Sequence, residues 1–259
     1  MTWPDPPAPR TDGSPWAAEP LRDRIRGRTD LMRFRKKGSP LTWERIVALH
    51  EREGEVSRAC ADIFKMIFLN GVGPAGNTFL FTSAVESEGK TTMALQLAAM
   101  LGTKGHPVLV VDAHWQRPTL GRMLDVVDRP GLTDLLRTGG RYEDVVVHDA
   151  RLPRVSVLPR GTKTLDLVQG FEERMRALLD RARKSFDFVL LDGAPTASGP
   201  EVLLLNPMVD GVLLVVACDR TQQSQIGAAR RAVEHSAGKV IGVILNRVPR
   251  YLPAYYRTL

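Results

Sequence analysis

Six short runs of apolar residues follow one another from residue 78 onward, and polar segments with helical periodicity lie between most of them. The apolar runs are 78–83, 107–112, 155–159, 187–192, 211–217 and 239–245. The helical patterns cover 90–101, 172–184, 221–235 and a short stretch near 201–205. Strands that are apolar on both faces and alternate with helices are typical of a parallel sheet covered on both sides. The pattern therefore predicts an α/β fold with a mostly parallel sheet and helices on both faces.

Two further segments precede this predicted domain, and one follows it. Apolar residues at spacings of three and four predict helix between Thr42 and Leu69. Residues 1–40 are rich in Pro, Arg, Asp and Gly, a composition that predicts a largely disordered extension. We expect four parts, namely a basic extension, a helical segment, the α/β domain and a C-terminal tail, at 1–40, 41–72, 73–248 and 249–259.

The N-terminal extension carries a concentrated positive charge. The whole chain has a formal net charge of +7, and residues 21–37 hold eight basic residues against two aspartates. A basic segment with interspersed apolar residues can make a peripheral contact with an anionic membrane or bind an acidic partner. A solvated flexible arm is an equally good interpretation. Nucleic acid is not an expected partner, because no recognition motif accompanies the charge.

Several bulk features predict a cytoplasmic protein. No apolar run reaches the roughly 18–20 residues that a membrane span needs, and the first residues lack the apolar centre of a signal peptide. The two cysteines, Cys60 and Cys218, do not have the spacing of metal ligands. Core packing is the better interpretation of both thiols.

The first apolar run ends in a loop, TSAVESEGKTT at 82–92, that suits phosphate binding. The phosphate-loop pattern asks for Gly, four residues and Gly-Lys-Ser/Thr between a strand and a helix, and here Ala84 replaces the first glycine. Backbone N–H groups of such a loop form a positive concavity for phosphates. Lys90 would reach the β- and γ-phosphates, and Thr91 would coordinate Mg²⁺. The predicted nucleotide-binding residues are Glu86, Ser87, Glu88, Gly89, Lys90, Thr91 and Thr92.

Two of the predicted strands end in a carboxylate, Asp112 and Asp192. Ligands of parallel-sheet proteins bind at the carboxyl ends of the strands, so both side chains are expected near the phosphate loop. Asp192, in VLLDGAP, has the position of a carboxylate that holds the metal through a hydroxyl or a water. Capping of the next helix is the alternative role for such an aspartate.

With these motifs, the chain resembles the bacterial tyrosine autokinases of capsule and exopolysaccharide systems over roughly residues 50 to 259. The resemblance rests on EGKTT, VLVVDAHWQRPTL, GLTDLL, VLPRG, FDFVLLDGAP, DGVLLVVACDRT and GVILNRV, in that order. It implies a P-loop NTPase fold, ATP and Mg²⁺ as cofactors, and a protein-tyrosine kinase that regulates polysaccharide synthesis or export. Tail tyrosines would then be phosphorylated by a neighbouring subunit. Three of the four tyrosines lie in this tail: Tyr251, Tyr255 and Tyr256.

The resemblance also implies partners and an assembly. A transmembrane polysaccharide co-polymerase would activate the chain through its cytoplasmic tail and recruit it to the inner face of the plasma membrane. Subunits of the family form a homo-oligomer through a Glu-x-x-Arg-x-x-Arg helix, for which this chain offers Glu55 and Arg58, with Ala61 at the third position. Asn246 and Arg247 occupy the place where related proteins contact the base, and capping of a strand end is the alternative.

The second nucleotide motif departs from the family pattern. The family has Asp-x-Asp-x-Arg after three apolar residues, where this chain has Asp112, His114 and Gln116. Mg²⁺ prefers hard oxygen ligands, so an imidazole at the second position weakens the placement of the metal. As the resemblance implies, Asp112 would orient or deprotonate a tyrosine hydroxyl, and His114 is an alternative base. Gln116 and Arg117 are candidate contacts on the acceptor side.

Three functions are compatible with the sequence. The first is an ATP-dependent tyrosine autokinase whose activity His114 weakens. The second is a nucleotide-binding scaffold without catalysis in the same pathway, and restoring aspartate at His114 would separate the two. The third is a positioning ATPase of the partitioning type, which carries a lysine five residues before the loop lysine, where this chain has Val85. Val85 and the tyrosine-bearing tail favour the first two functions.

Overall fold

The structure, a computed structural model, describes residues 32–34, 55–69, 77–117, 119–124, 126, 128–148, 154–162 and 170–248. These residues form one sheet of eight strands: β1 (Met32–Phe34), β2 (Thr78–Ser83), β3 (Val108–Ala113), β4 (Val147–His148), β5 (Val155–Leu158), β6 (Phe188–Gly193), β7 (Gly211–Ala217) and β8 (Val240–Asn246). Their order across the sheet is β1-β8-β7-β2-β6-β3-β5-β4. Neighbouring strands are parallel except for β4 and β5. The expected mostly parallel sheet is confirmed.

Helices cover both faces of this sheet, as the sequence predicts. The α-helices of the described residues are α1 (Glu55–Leu69), α2 (Lys90–Thr103), α3 (Leu120–Met123), α4 (Leu132–Thr138), α5 (Phe171–Ser185) and α6 (Gln223–His235). Three 3-10 helices of the described residues lie at Tyr142–Asp144, Thr196–Ser198 and Pro200–Met208. The helices α1 and α2 pack on one face of the sheet, and α4, α5 and α6 pack on the other. The fold class is therefore an α/β sheet between two helical layers.

The helix α2 is buried along most of its length, because it packs against the sheet and against the neighbouring helix α1, which also contacts β8. Cys60 and Ile63 of α1 are fully buried in this layer, which agrees with core packing of the Cys60 thiol. Met66 of α1 lies against Gly242 of β8, where a Cβ atom would come within 2.2 Å of the Met66 Cε. A side chain at position 242 would therefore have to displace the flexible end of Met66.

The six strands expected from the apolar runs match the structure to within one residue at each end. The short strand β1 lies inside the segment 1–40 that the composition predicts to be largely disordered, and it pairs with β8. Glu55 begins α1, and Arg58 lies in its first turn. The helical pattern before residue 55 and the tyrosines of the tail lie outside the described residues, so the four-part division of the chain remains a prediction.

None of the helices in the described part of the chain is both long enough and apolar enough to cross a membrane.

Candidate functional site

The strand order brings the candidate residues together at the carboxyl ends of neighbouring inner strands. The strands β2, β6 and β3 are consecutive neighbours, so their carboxyl ends lie side by side. Asp112 on β3 pairs in register with Asp192 on β6, and Asp192 pairs with Phe81 on β2. The loop that follows β2 therefore begins next to both carboxylates.

The phosphate loop has the backbone conformation of an anion-binding turn. Ser87 has a φ of 61° and Gly89 a φ of 99°, both in the left-handed region. Left-handed residues within a turn direct successive N–H groups into one concavity, which binds anions. Gly89 directly precedes the 14-residue helix α2, whose N-terminus faces the same concavity. A Cβ atom at Gly89 would lie 2.2 Å from the Nδ2 of Asn246, so space and φ both require glycine here.

Lys90 is buried at the start of α2 and faces the end of β2. Its Nζ donates a hydrogen bond of 2.9 Å to the Oγ of Ser83, which in turn donates to the carbonyl oxygen of Val85 at 2.6 Å. Burial lowers the pKa of Lys90, and the carboxylate of Asp192 opposes this effect most strongly. The ammonium group is thus held inside a cluster of acidic groups, beside the phosphate loop.

Thr91 and Asp192 form the expected hydroxyl–carboxylate pair. The Oγ1 of Thr91 donates to the Oδ2 of Asp192 at 2.6 Å. Burial raises the pKa of Asp192 to about 6, and the hydrogen bond from Thr91 opposes the shift. No helix cap by Asp192 is found among the described residues, and its partner is Thr91. The role in metal placement is therefore better supported than helix capping.

Asp112 lies beside Asp192, fully buried on the neighbouring strand. Burial, followed by the nearby Asp192 carboxylate, raises the pKa of Asp112 to about 8. Its Oδ2 and the Oδ1 of Asp192 are buried atoms without a hydrogen-bond partner in the described part of the protein. Two adjacent, desolvated carboxylates with unused oxygens suit a divalent cation, whose charge offsets their repulsion.

The donor set fits Mg²⁺ better than a transition metal. Carboxylate and hydroxyl oxygens are hard ligands, and Mg²⁺ keeps several waters and takes phosphate oxygens in nucleotide sites. The described residues contain no cluster of three or more His, Cys, Asp or Glu side chains that would form a closed metal cage. Thr91, Asp112 and Asp192 would therefore supply a partial set of ligands, completed by water and phosphate.

His114 stands where the family pattern has a second aspartate. Its backbone N–H donates to the Oδ1 of Asp112 at 3.3 Å, and its side chain is buried. Burial, followed by the charge of Lys90, lowers the pKa of His114 to about 4, so the imidazole is neutral at pH 7. A neutral ring does not repel a cation, and it offers no hard oxygen ligand either.

The remaining predicted residues lie around this centre. Arg117 forms an ion pair with Glu86 of the phosphate loop, and both side chains are exposed. Thr92 lies in the first turn of α2. The Nδ2 of Asn246 donates to the main-chain oxygen of Glu88 at 2.7 Å, and its Oδ1 accepts from the N–H of Arg247 at 2.8 Å. Asn246 thus fastens the phosphate loop to the end of β8, and contact with a base remains a prediction for both residues.

Three functional residues are missing from the sequence-based prediction. Ser83 holds the ammonium group of Lys90. Arg160, two residues after β5, donates from Nη1 to the main-chain oxygen of Trp115 at 3.1 Å, and its charge lowers the pKa of Asp112. Thr221 donates to the side chain of Glu88. The positions of Ser83 and Arg160 at the carboxyl ends of strands are the signal that marks them, whereas no local pattern marks Thr221.

A left-handed turn at a helix N-terminus, a buried lysine and a hydroxyl–carboxylate pair define a P-loop nucleotide-binding protein. Residues 87–231, more than half of the chain, match the AAA domain family AAA_31, and the chain belongs to that family.

Comparison with related proteins shows which kind of P-loop protein the chain resembles. The succinoglycan biosynthesis transport protein ExoP of Rhizobium meliloti (strain 1021) is 30% identical over 179 residues, which are 68% of this chain and 23% of ExoP. The tyrosine-protein kinase YwqD of Bacillus subtilis (strain 168) is 26% identical over 216 residues, which are 83% of this chain and 91% of YwqD. The chain thus spans most of YwqD and about a quarter of ExoP. The resemblance to bacterial tyrosine kinases is confirmed.

A solved structure supports the same fold. The kinase domain of the Escherichia coli tyrosine kinase ETK superimposes with a TM-score of 0.71 at 23% identity, over 87% of each chain. At this identity the likeness concerns the architecture of the sheet and its helices.

Proposed function

We propose that this chain is an ATP-dependent protein-tyrosine autokinase that regulates the synthesis or export of a capsular polysaccharide or exopolysaccharide. The observation that carries the proposal is the convergence of Lys90, Thr91, Asp192 and Asp112 on one phosphate loop. The relatives support the finer choice. YwqD is named a tyrosine-protein kinase, and ExoP is named a succinoglycan biosynthesis transport protein.

The phosphate loop and Lys90 would bind the triphosphate of ATP. Backbone N–H groups of the loop hold the β- and γ-phosphates, and the ammonium group of Lys90 leaves Ser83 for a phosphate oxygen. Thr91, Asp112 and Asp192 would hold Mg²⁺, which would supply positive charge that offsets the charge of the phosphates. Burial of these groups strengthens each of these electrostatic interactions relative to water.

The acceptor hydroxyl would approach from the side of Asp112. A tyrosine hydroxyl has a pKa of about 10 and attacks poorly unless a base orients it. The carboxylate of Asp112 would accept a hydrogen bond from this hydroxyl and then its proton. The phenolic oxygen would form a bond to the γ-phosphorus while the bond to the β–γ bridging oxygen breaks, so the products are phosphotyrosine and ADP.

The acceptors of the proposed reaction are Tyr251, Tyr255 and Tyr256 of a neighbouring subunit. A homo-oligomer, in which α1 with Glu55 and Arg58 contributes to the contact, would present each tail to the next site. A transmembrane co-polymerase with a cytoplasmic tail is the proposed activator. The basic residues 21–37 would contact the anionic inner surface of the membrane.

Mixing two variants, neither of which can phosphorylate its own tail, tests transfer between subunits. Lys90→Met keeps an intact tail but lacks the phosphate-binding ammonium, and a chain with Tyr251, Tyr255 and Tyr256 all changed to Phe keeps an intact site. We expect phosphotyrosine on the Lys90→Met chain only when the second variant and Mg-ATP are present, with the activator tail added as a peptide. The buried Tyr142 offers the matched control, because Tyr142→Phe in the second variant should leave the transfer unchanged. Absence of phosphate on the Lys90→Met chain would refute transfer in trans.

A nucleotide-binding scaffold without catalysis is the second candidate, and His114 is the observation that favours it. Restoring a carboxylate with His114→Asp adds a hard oxygen ligand beside Asp112. We expect the rate of autophosphorylation to rise about tenfold, because better placement of Mg²⁺ stabilises the developing charge. The same change at the exposed His235 should have no effect. Phosphate that appears only in His114→Asp would establish the scaffold, and a rate below that of the native chain would contradict the proposed ligand role.

A further inference from the structure

The geometry points to Glu88 as a positioning residue that couples the phosphate loop to the β7 loop (residues 218–222) through Thr221. The proposed function assigns the main chain of Glu88 to phosphate binding and gives its side chain no role. The inference rests on the nucleotide-binding part of the proposed function and does not require that the chain be an active kinase.

The side chain of Glu88 is fully buried although it belongs to a loop at the surface of the site. Its Oε2 accepts from the backbone N–H of Val85 at 3.0 Å. Its Oε1 accepts from the backbone N–H of Ala217 at 2.9 Å and from the hydroxyl of Thr221. A buried carboxylate is tolerated when donors satisfy both of its oxygens. The carboxylate of Glu88 is therefore directed into the protein, away from the phosphates.

These contacts fix the shape of the phosphate loop. The N–H of Val85, in the first part of the loop, donates to the side chain of Glu88, the residue that precedes Gly89. The main-chain oxygen of the same glutamate accepts from the Nδ2 of Asn246 at 2.7 Å. The loop is thus fastened at one residue to the ends of both β7 and β8, which sets the direction of the N–H groups that follow.

The β7 loop is fastened to the same point. Ala217 ends β7, and Thr221 precedes α6 by two residues. The N–H of Thr221 donates to the oxygen of Ala217 at 3.3 Å, so the hydroxyl of Thr221 is presented to Glu88 by a closed turn. Thr221 contacts the phosphate loop through the Oε1 of Glu88, whereas Val85 donates to the Oε2 of the same carboxylate. A change at Thr221 will then alter phosphate affinity only through Glu88.

Substitution of Glu88 by Gln distinguishes a positioning role of this side chain from a purely electrostatic role. A negative charge in a phosphate-binding loop repels the ligand, so a purely electrostatic role predicts tighter binding in Glu88→Gln. A positioning role predicts weaker binding. The amide has one oxygen and one NH₂ group, so either the N–H of Val85, or the N–H of Ala217 and the hydroxyl of Thr221, would face the NH₂ group instead of an acceptor.

Binding of Mg²⁺-tripolyphosphate, measured by calorimetry, reports on the phosphate loop alone because this ligand has no base. We expect Glu88→Gln to weaken binding about tenfold, Thr221→Val about threefold or more, and Thr221→Ser less than about twofold, since serine keeps the donor. The double variant Glu88→Gln/Thr221→Val should bind no more weakly than Glu88→Gln, because both changes act through one contact. Thr103→Val removes a hydroxyl at the far end of α2 and is the matched control.

Melting temperatures of all variants confirm that each is folded. Native affinity in a folded Thr221→Val variant, additive losses in the double variant, or tighter binding in Glu88→Gln would each overturn the coupling. The two proposals fail separately. A chain that shows the non-additive cycle and transfers no phosphate refutes the kinase alone, and a chain that transfers phosphate with an inert Thr221→Val variant refutes the coupling alone.

Discussion

Replacing Lys90 by methionine lowers the rate of tyrosine phosphorylation by at least about 100-fold, because the ammonium group that stabilises the transferred phosphoryl is lost. The same change leaves the fold intact. Lys90 is buried, and burial lowers its pKa, which shows that the protein holds the charge at a cost. We therefore expect the melting temperature of Lys90→Met to equal or exceed that of the native chain. Transfer of radioactive phosphate from ATP and a thermal melt measure the two quantities.

Lys65→Met is the control for this variant. Lys65 is exposed on α1 and pairs with Asp62 of the same helix. It should keep the native rate and a melting temperature within a degree or two, since exposed ion pairs contribute little. A Lys90→Met chain with the native rate would contradict the assignment of the phosphate loop.

Replacing Asp112 by asparagine stabilises the chain in EDTA and strongly slows phosphoryl transfer. Asp112 and Asp192 are adjacent buried carboxylates, and burial together with the neighbouring charge raises the pKa of Asp112 to about 8. Near pH 7 the folded chain without metal keeps Asp112 largely protonated, whereas the unfolded chain ionises it, so replacement by a neutral amide should raise the free energy of unfolding by about 1 to 3 kcal/mol. The rate should fall by about 100-fold or more, because a metal ligand and the proton acceptor are lost together. Chemical denaturation in EDTA measures the first effect.

Binding of Mg-ADP should reverse which of the two chains, native or Asp112→Asn, is the more stable. Mg-ADP should raise the melting temperature of the native chain more than that of Asp112→Asn, because the cation offsets the repulsion only where both carboxylates are present. Asp180→Asn, a change at an exposed residue of α5, should alter neither quantity. A destabilised Asp112→Asn variant in EDTA would show that the paired carboxylates are not a strained metal site.

The sheet is largely predictable from the sequence because its strands are apolar on both faces. A continuous apolar run such as 211–217 needs burial on both faces, which an inner strand of a covered parallel sheet provides. The structure places β7 over the same residues. The strands β1 and β4 contain three and two residues, which is too short for a pattern to develop. Their pairing is set by neighbouring strands rather than by their own composition.

The site is predictable as far as its chemistry is local. The sequence GKT at a strand-to-helix junction specifies the loop, and the ends of parallel strands specify where Asp112 and Asp192 meet. Contacts between distant segments are not predictable in this way. The hydrogen bonds of Glu88 to Ala217 and Thr221 join residues about 130 positions apart, and nothing near Glu88 in the sequence indicates them.

The most direct test of the proposed kinase is a map of phosphotyrosine by mass spectrometry. The purified native chain and Lys90→Met would be incubated with Mg-ATP and the activator peptide, and the native chain also with EDTA. We predict phosphate on Tyr251, Tyr255 or Tyr256 of the native chain, and none in EDTA or in Lys90→Met. Phosphate that persists without Lys90, or tails without phosphate in every sample, would contradict the account.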